Sequence, residues 1–446
     1  MRRAWIPLAL LTLLLPNAAQ SDPCGMVPPI PVTGAPPAQL ERTGAQRTWV
    51  MFKDGVETIA LRPGFTGNVE DFGMLIPFPS PPAIRKISDD TFAHLEAAID
   101  PPTLQVHIRE RMRPSVMRRG SATGASSAPM MEKSEEPLAL DKVVVLSEEA
   151  VGMYQVAVLE AGSPKALARW MTDNGYTYPT GMDAVTLDYV QARWCFVAVK
   201  ARVGPDDGIA PRPGMREVAP ELPSGSSYDG FVQGMGFRFA TKEPVVPMRL
   251  SVFNGEDPRN VVYALMPDPV RIAGVPISTV VRQVDGKALH ANLVDPLPVE
   301  IDGGKFSDLQ DHEKTQVAER RDPSKVNGVA RDVISADLMA LRSGQLALDV
   351  EQKEKEILNV SEALLLRGPA IDALHAEALA EATQAQTGKA LGDVKGMTLT
   401  VIDGVFPQQL LADQNLTFTT YAMDDAHNLP RQEAIRPAVG SLTFWR

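Results

Sequence analysis

The stretch from Met153 to Val203 limits the fold more than any other, because it reads as strand, helix, short helix and strand, with the first helix marked at both ends. Tyr154 to Leu159 alternates bulkier and smaller side chains, as a strand does when successive residues point to opposite faces. Ser163 can cap the free amides of the helix that follows. Pro164 suits its first position, where the N–H it lacks would have no partner, and Asn174-Gly175 supplies a left-handed stop. Leu167, Trp170 and Met171 share one face of that helix, and Met182, Val185 and Tyr189 one face of the next, so both are predicted to cover a sheet. Trp170 is read as core rather than as a ligand-stacking aromatic. Trp194 to Val199 returns as a strand.

A chain of 446 residues can bury a core of its own without a metal or a disulfide scaffold. Residues 1–21 have the layout of a signal peptide: Arg2 and Arg3, an apolar run from Ala4 to Leu15, then Ala18-Ala19 before cleavage near Ala19 to Ser21. The expected location is therefore periplasmic or extracellular. No later run approaches the roughly 20 apolar residues of a spanning helix, so the mature chain is expected to be soluble, without a transmembrane segment. Loss of Arg2 and Arg3 takes the formal charge from −11 to −13. A chain in which acidic residues exceed basic ones, without an RNP-like, zinc-finger or helix-turn-helix pattern, is not expected to bind nucleic acid. Two cysteines enter an oxidising compartment, Cys24 and Cys195. They either form a disulfide that ties the mature N-terminus to the central sheet, or leave Cys195 as a packed thiol between Trp194 and Phe196.

Along the chain, Arg47 to Phe52 and Val56 to Leu61 read as a hairpin about Lys53-Asp54-Gly55, and Asp71 to Phe78 as a further strand. Ser88 is placed as the cap of a helix ending at Ile99, with Asp89 and Asp90 in its first turn, and Leu104 to Ile108 as a strand. Residues 111–137 are low in complexity and read as a disordered loop, with Lys142 to Leu146 a strand beyond it. Gly236 to Ala240, Val246 to Phe253 and Asn260 to Met266 are predicted as a second antiparallel set. Val333 to Arg367 is helical by composition, and Ile371, Leu374 and Ala378 continue its stripe beyond Gly368-Pro369, which predicts a helical hairpin lying on the sheet. Met397 to Ile402 and Leu416 to Ala422 close the fold. The class is α+β, with mostly antiparallel sheets, the central strand-helix-helix-strand unit and an Ala/Glu-rich helical insertion. The expected divisions are a sheet domain over residues 22–300, the insertion over 301–392, and closing strands with a tail over 393–446.

Several strings resemble one family: Cys24-Gly25, the strand from Asp71 to Pro79, VVVLSEEAVGMYQVAVLEAGSPKALARWMTDNGY, GFRFATKEPVVPMRLSVFN and MTLTVIDGVFPQQLLADQNLTF. This is the exported bacterial group known as domain-of-unknown-function family 2330. The resemblance spans most of Cys24 to Phe418 and implies export and a single architecture. It carries no catalytic residues to transfer.

No Gly-x-Ser-x-Gly elbow, His-Glu-x-x-His, phosphate-binding loop or Cys-x-x-Cys is present. Gly234-Met235-Gly236 lacks the remaining glycine and following helix of a nucleotide loop. His375 and Glu377 are two apart on a helix and face different ways. Asp424, Asp425 and His427 are the densest acid and imidazole cluster, read as a solvated turn, and His312-Glu313 is read as solvated too. No catalytic, cofactor or metal site is assigned. The leading expectation is a non-catalytic protein that binds an envelope protein or a cell-surface component. The alternatives are a secreted hydrolase whose residues, among Asp424, Asp425, His427, His94 and His107, meet in three dimensions, and a metal-handling protein using Met112, Met117, Met130 and Met131 as soft ligands beside His107.

Overall fold

The structure, a computed structural model, describes residues 41–42, 45–68, 72–109, 142–201, 227–228, 233–254, 257–357, 369–422 and 435–446. The leader, Cys24, the 111–137 stretch with its methionines, and Asp424, Asp425 and His427 lie outside them.

The described residues begin with β1 (Glu41–Arg42), β2 (Gln46–Lys53), β3 (Val56–Arg62), β4 (Phe65–Asn68), β5 (Gly73–Phe78), β6 (Ala83–Lys86), α1 (Thr91–Ile99) and β7 (Leu104–Arg109). The central unit is β8 (Val143–Val151), β9 (Tyr154–Ala161), α2 (Pro164–Asp173), α3 (Met182–Gln191) and β10 (Cys195–Ala201). Then come β11 (Ser227–Tyr228), β12 (Met235–Ala240), β13 (Val245–Val246), β14 (Arg259–Met266), β15 (Val270–Ile272), β16 (Val280–Asp285), α4 (Gly286–Val294) and β17 (Val299–Asp302). Last are α5 (Asp311–Arg320), α6 (Ser324–Ala340), α7 (Ser343–Ile357), α8 (Pro369–Asp393), β18 (Thr398–Val405), α9 (Gln408–Asp413), β19 (Leu416–Thr420) and β20 (Ser441–Trp445).

Two sheets dominate. One has the order β16-β18-β14-β2-β3-β12-β6, antiparallel except where β14 runs parallel to β2; the other is antiparallel with the order β5-β10-β9-β8. They face each other across one core, to which Val50, Ile59, Phe237 and Val262 come from the first sheet and Ile76, Phe78, Val156 and Val197 from the second. The first sheet's other face carries Trp49, Tyr263 and Leu265, covered by α1, α4 and α6. The second's carries Leu75, Leu159 and Phe196, covered by α2 and α3. The result is four layers, helix, sheet, sheet and helix, in the α+β class with mostly antiparallel sheets. Strands buried on both faces read as continuous apolar runs such as Val261 to Leu265.

The central unit forms as its punctuation dictates. Ser163 Oγ accepts from the Ala166 amide at 3.1 Å, Pro164 opens α2, and Gly175 takes φ +84° after it. Elsewhere the structure corrects the sequence. β12 and β14 join the β2–β3 hairpin's own sheet instead of forming a second set. The strand expected from Val246 to Phe253 stops at Val246, because Pro247 has no N–H for a ladder, and a 3-10 turn spans Arg249–Asn254. α1 starts at Thr91, with Asp89 and Asp90 ahead of it and Ser88 Oγ accepting from the Asp90 amide at 3.3 Å. The long helix expected from Val333 is divided after α6, where the Leu341 and Arg342 amides bond three residues back and tighten the last turn. Of the stripe Ile371, Leu374 and Ala378, only Ala378 is buried, and it packs against Val350 of α7 rather than on the sheet.

Glu57 of β3 is fully buried, its carboxyl accepting from the Val245 amide at 3.1 and 3.3 Å. Burial holds its pKa well above the ordinary glutamate value. The neutral form therefore suits the folded state, and its contribution is complete below the unfolded pKa. As pH rises through the interval up to the folded pKa, the unfolded chain releases this proton first and stability falls. Glu57→Gln keeps an acceptor for the Val245 amide and cannot ionise. It is expected to be more stable than the parent at neutral pH and to flatten that fall, measured as urea midpoints from pH 4 to pH 8. A pH dependence equal to the parent's would count against this reading of Glu57.

Candidate functional site

Of the three three-stranded sheets among the described residues, one is open on one face. β17, β7 and β20 run parallel, bringing together segments distant in the chain. Their alternation divides the side chains cleanly. Leu104, Val106, Ile108 and Phe444 are buried with Leu309 and Val317, the latter on α5. The opposite face carries Glu300 and Asp302 from β17, Gln105, His107 and Arg109 from β7, and Ser441, Thr443 and Trp445 from β20. Register pairs Asp302 and Thr443 with His107, and Trp445 with Arg109. Parallel sheets are ordinarily covered on both faces. Here one face is open, and Trp445 on it is 48% exposed.

The polar groups on this face are organised. Gln105 Nε2 donates to Glu300 at 2.9 Å, and Arg109 Nη2 donates to Asp302 Oδ2 at 2.8 Å, the oxygen that His107 Nδ1 meets at 3.3 Å. The His107 hydrogen bond and then the Arg109 charge hold the Asp302 carboxyl below its usual range, so it is ionised at neutral pH. An ionised Asp302 requires the proton on Nδ1 of His107, which leaves Nε2 of the neutral ring as an acceptor. Backbone constraints fix the edges. A Cβ at Gly303, which has φ +84°, would lie 2.3 Å from the Ile108 carbonyl oxygen, so the chain can leave β17 this close to β7 only as glycine. Trp445 is held from its C-terminal side: the Arg446 amide donates to the Arg109 carbonyl at 2.8 Å, and its guanidinium grips Glu313 through two bonds of 2.7 and 2.8 Å.

The structure brings His107 together with Asp302 and Arg109, but not with the other residues singled out from sequence. His94 is half-buried on α1, where Nδ1 accepts from the Val329 amide of α6 at 3.1 Å. Burial lowers its pKa, and its role is helix packing. His375 pairs with Glu354 across α7 and α8 at 2.6 Å. His312 is exposed, but Glu313, expected to be solvated, is 4% exposed because Arg446 covers it. Cys195 is the cysteine among the described residues; its thiol is buried, donates to the Phe78 carbonyl at 3.5 Å, and is pushed up to about 12 by burial. Its pairing with Cys24 lies outside those residues. Trp170 is only partly buried, its ring stacked on Tyr176. Among the described residues no three His, Cys, Asp or Glu side chains gather as metal ligands, and no helix is long and apolar enough to cross a membrane.

A family model described as an uncharacterized protein conserved in bacteria (DUF2330) matches residues 33–284, more than half of the chain. The chain belongs to the DUF2330 family. The DUF2330 region contains both large sheets' hairpins and the central unit, and ends within β16, well short of the Phe418 expected from sequence. β7 of the open face falls inside it, and β17 and β20 outside. Neither the curated proteins nor the solved structures gave a match.

Asp302, Glu300 and Trp445 were not singled out from sequence. VEID alternates apolar and polar residues as LQVHIR does, but SLTFW breaks that pattern at Trp445, which follows Phe444 directly, and runs of four and five residues carry little signal of their own.

Proposed function

We propose that this protein is an exported, non-catalytic component of the bacterial envelope that binds a polysaccharide strand of the cell surface on the open face of β17, β7 and β20. The observation that carries the reading is the exposed Trp445 beside an ordered array of Arg109, His107, Asp302, Gln105 and Glu300. A sugar ring offers an apolar C–H face for an indole and hydroxyls for paired donors and acceptors, and residues two apart on a strand repeat at about 7 Å. The leader layout of residues 1–21 supports export. Trp445→Ala is expected to weaken retention on envelope polysaccharide about thirtyfold, the equivalent of about 2 kcal/mol for an aromatic anchor, with the melting temperature little changed. Affinity electrophoresis in gels containing the polymer reads this directly, and unchanged retention would overturn the reading.

The His107–Asp302 pair favours a second reading, a secreted hydrolase with His107 as base. Among the described residues His107 hydrogen-bonds Asp302 and no hydroxyl, so a nucleophile would have to be water or substrate. Release of reducing ends from the same polymer, lost in His107→Ala, would select it.

A further inference from the structure

Among the described residues the four-stranded sheet has no strand beyond β8, so this strand of nine residues is an edge. Edges are commonly blunted by charge, proline, shortness or a bulge. β8 has a bulge, and running into it are three adjacent apolar side chains, Val144, Val145 and Leu146, which are 38%, 39% and 41% exposed. Its backbone is turned outward in the same stretch. The Gly162 amide donates to the Lys142 carbonyl at 2.9 Å, and Val143 lies opposite Ala161. Lys142 and Val144 therefore bond inward to β9, while Val143 and Val145 direct N–H and C=O away from the sheet. The register shifts between Val145 and Ser147, with Leu146 the extra residue, and past it the outward groups become those of Glu148 and Ala150.

This edge is complementary to a copy of itself. When two β8 strands meet antiparallel about a two-fold axis at Val145, each Val145 exchanges both backbone bonds with the other, and each Val143 meets Glu148 of the second copy across the bulge. The next position sets Lys142 against Glu149 of the second copy, in a pair without backbone bonds, where facing side chains stand closest. Both lie on one face of the sheet. Val143 packs toward the α2 and α3 cover, so its neighbour Lys142 takes the other face, and Glu149 takes that face too, opposite Val156 of the core between the sheets. Lys142 is exposed and Glu149 half-buried, and among the described residues neither has an ion-pair partner. Burial raises the Glu149 pKa against a hydrogen bond from Ser147, a cost that a facing lysine offsets.

We propose that β8 pairs antiparallel with β8 of a second copy of this chain, joining two four-stranded sheets into one. The two Lys142–Glu149 contacts, related by the two-fold axis, fix the register. Such pairing uses up both β8 edges, so assembly stops at the dimer. β8 shares no residue with the open parallel-sheet face, and the inference is independent of the polysaccharide reading.

The test is sedimentation velocity of the mature chain in reductant, which keeps Cys24 from linking copies. A monomer–dimer equilibrium is expected between about 1 and 300 µM. Val145→Pro removes an N–H that no strand among the described residues uses, at an extended position that proline accepts. It is expected to weaken the dimer about thirtyfold, the loss of two backbone hydrogen bonds, with the melting temperature of the dilute protein little changed. Lys142→Glu and Glu149→Lys each set like charges together twice and are expected to weaken it about tenfold, and the two changes combined to restore it. Trp445→Ala is expected to leave the dimer unchanged. The proposal is overturned by a monomer throughout this range, the result expected if the edge serves an unrelated peptide instead. It is overturned equally by assemblies that grow beyond two copies, by a dimer insensitive to Val145→Pro, or by a double charge reversal no tighter than either single change.

Discussion

Replacing Asp337 by alanine is expected to destabilise the protein by about 3 kcal/mol or more, the loss seen when one partner is taken from a buried charged group. Asp337 sits in α6 and is fully buried. Its Oδ1 accepts from Arg85 Nη2 at 2.6 Å and Arg238 Nη2 at 2.9 Å, and its Oδ2 from Trp49 Nε1 at 3.1 Å. Arg85 belongs to β6, Arg238 to β12 and Trp49 to β2, so one carboxylate fastens the helix to three strands of the seven-stranded sheet. Alanine leaves two guanidinium groups and an indole N–H around an emptied position. The arginine side chains are 32% and 22% exposed and can regain some hydration, which sets the effect at the lower end of the range for buried pairs. Trp49 is fully buried and cannot. Asp337→Asn keeps the shape and an acceptor while removing the charge, and is expected to fall between parent and alanine. Urea denaturation followed by hydrogen exchange of the α6 amides measures both, and a loss below about 1 kcal/mol would mean that water replaces the carboxylate there.

Nothing about Asp337 stands out in the sequence, and the reason is general to this fold. Local structure was legible where residues specify their own backbone. Asp54 and Gly55 take φ of 53° and 79° as the hairpin turn requires, and Ser163-Pro164 with Asn174-Gly175 bound α2. Strand neighbours were not legible, because period-two alternation shows which face a residue takes and never which strand lies beside it. β14 was therefore read in a separate set, although it pairs in parallel with β2 and Thr48 donates to Asn260 across 212 residues. β17 and β20, of four and five residues, are too short to stand out from loops. The helical composition after Glu300 was legible, but its breaks were not, since a 3-10 tightening at Leu341 needs no proline or glycine. The open face followed the same rule: His107 was noticed as an imidazole, while Asp302 and Trp445 gain meaning from register alone.

Phe78→Ala is expected to cost about 3–5 kcal/mol, the range for truncating a buried aromatic in a packed core. Phe78 is fully buried at the end of β5, an edge strand of the four-stranded sheet, with its ring centre 4.9 Å from that of Phe237 and 5.1 Å from that of Phe239. Those two rings belong to β12 of the seven-stranded sheet, so the cluster is where the two sheets grip each other. Truncation removes both ring contacts and opens a cavity that neither sheet can close without shifting against its own helix layer. The hydrogen bond that the Cys195 thiol donates to the Phe78 backbone carbonyl does not involve the ring and can persist in the variant, so the loss reports the ring. Phe78→Leu fills most of the volume and is expected to cost less than half as much. Urea unfolding separates two outcomes for alanine. A lower midpoint with unchanged slope means that the sheets stay joined around a cavity, and a shallower slope means that they part before the rest unfolds. A midpoint equal to the parent's would show that the aromatic cluster contributes nothing to holding the sheets together, and would sink the prediction.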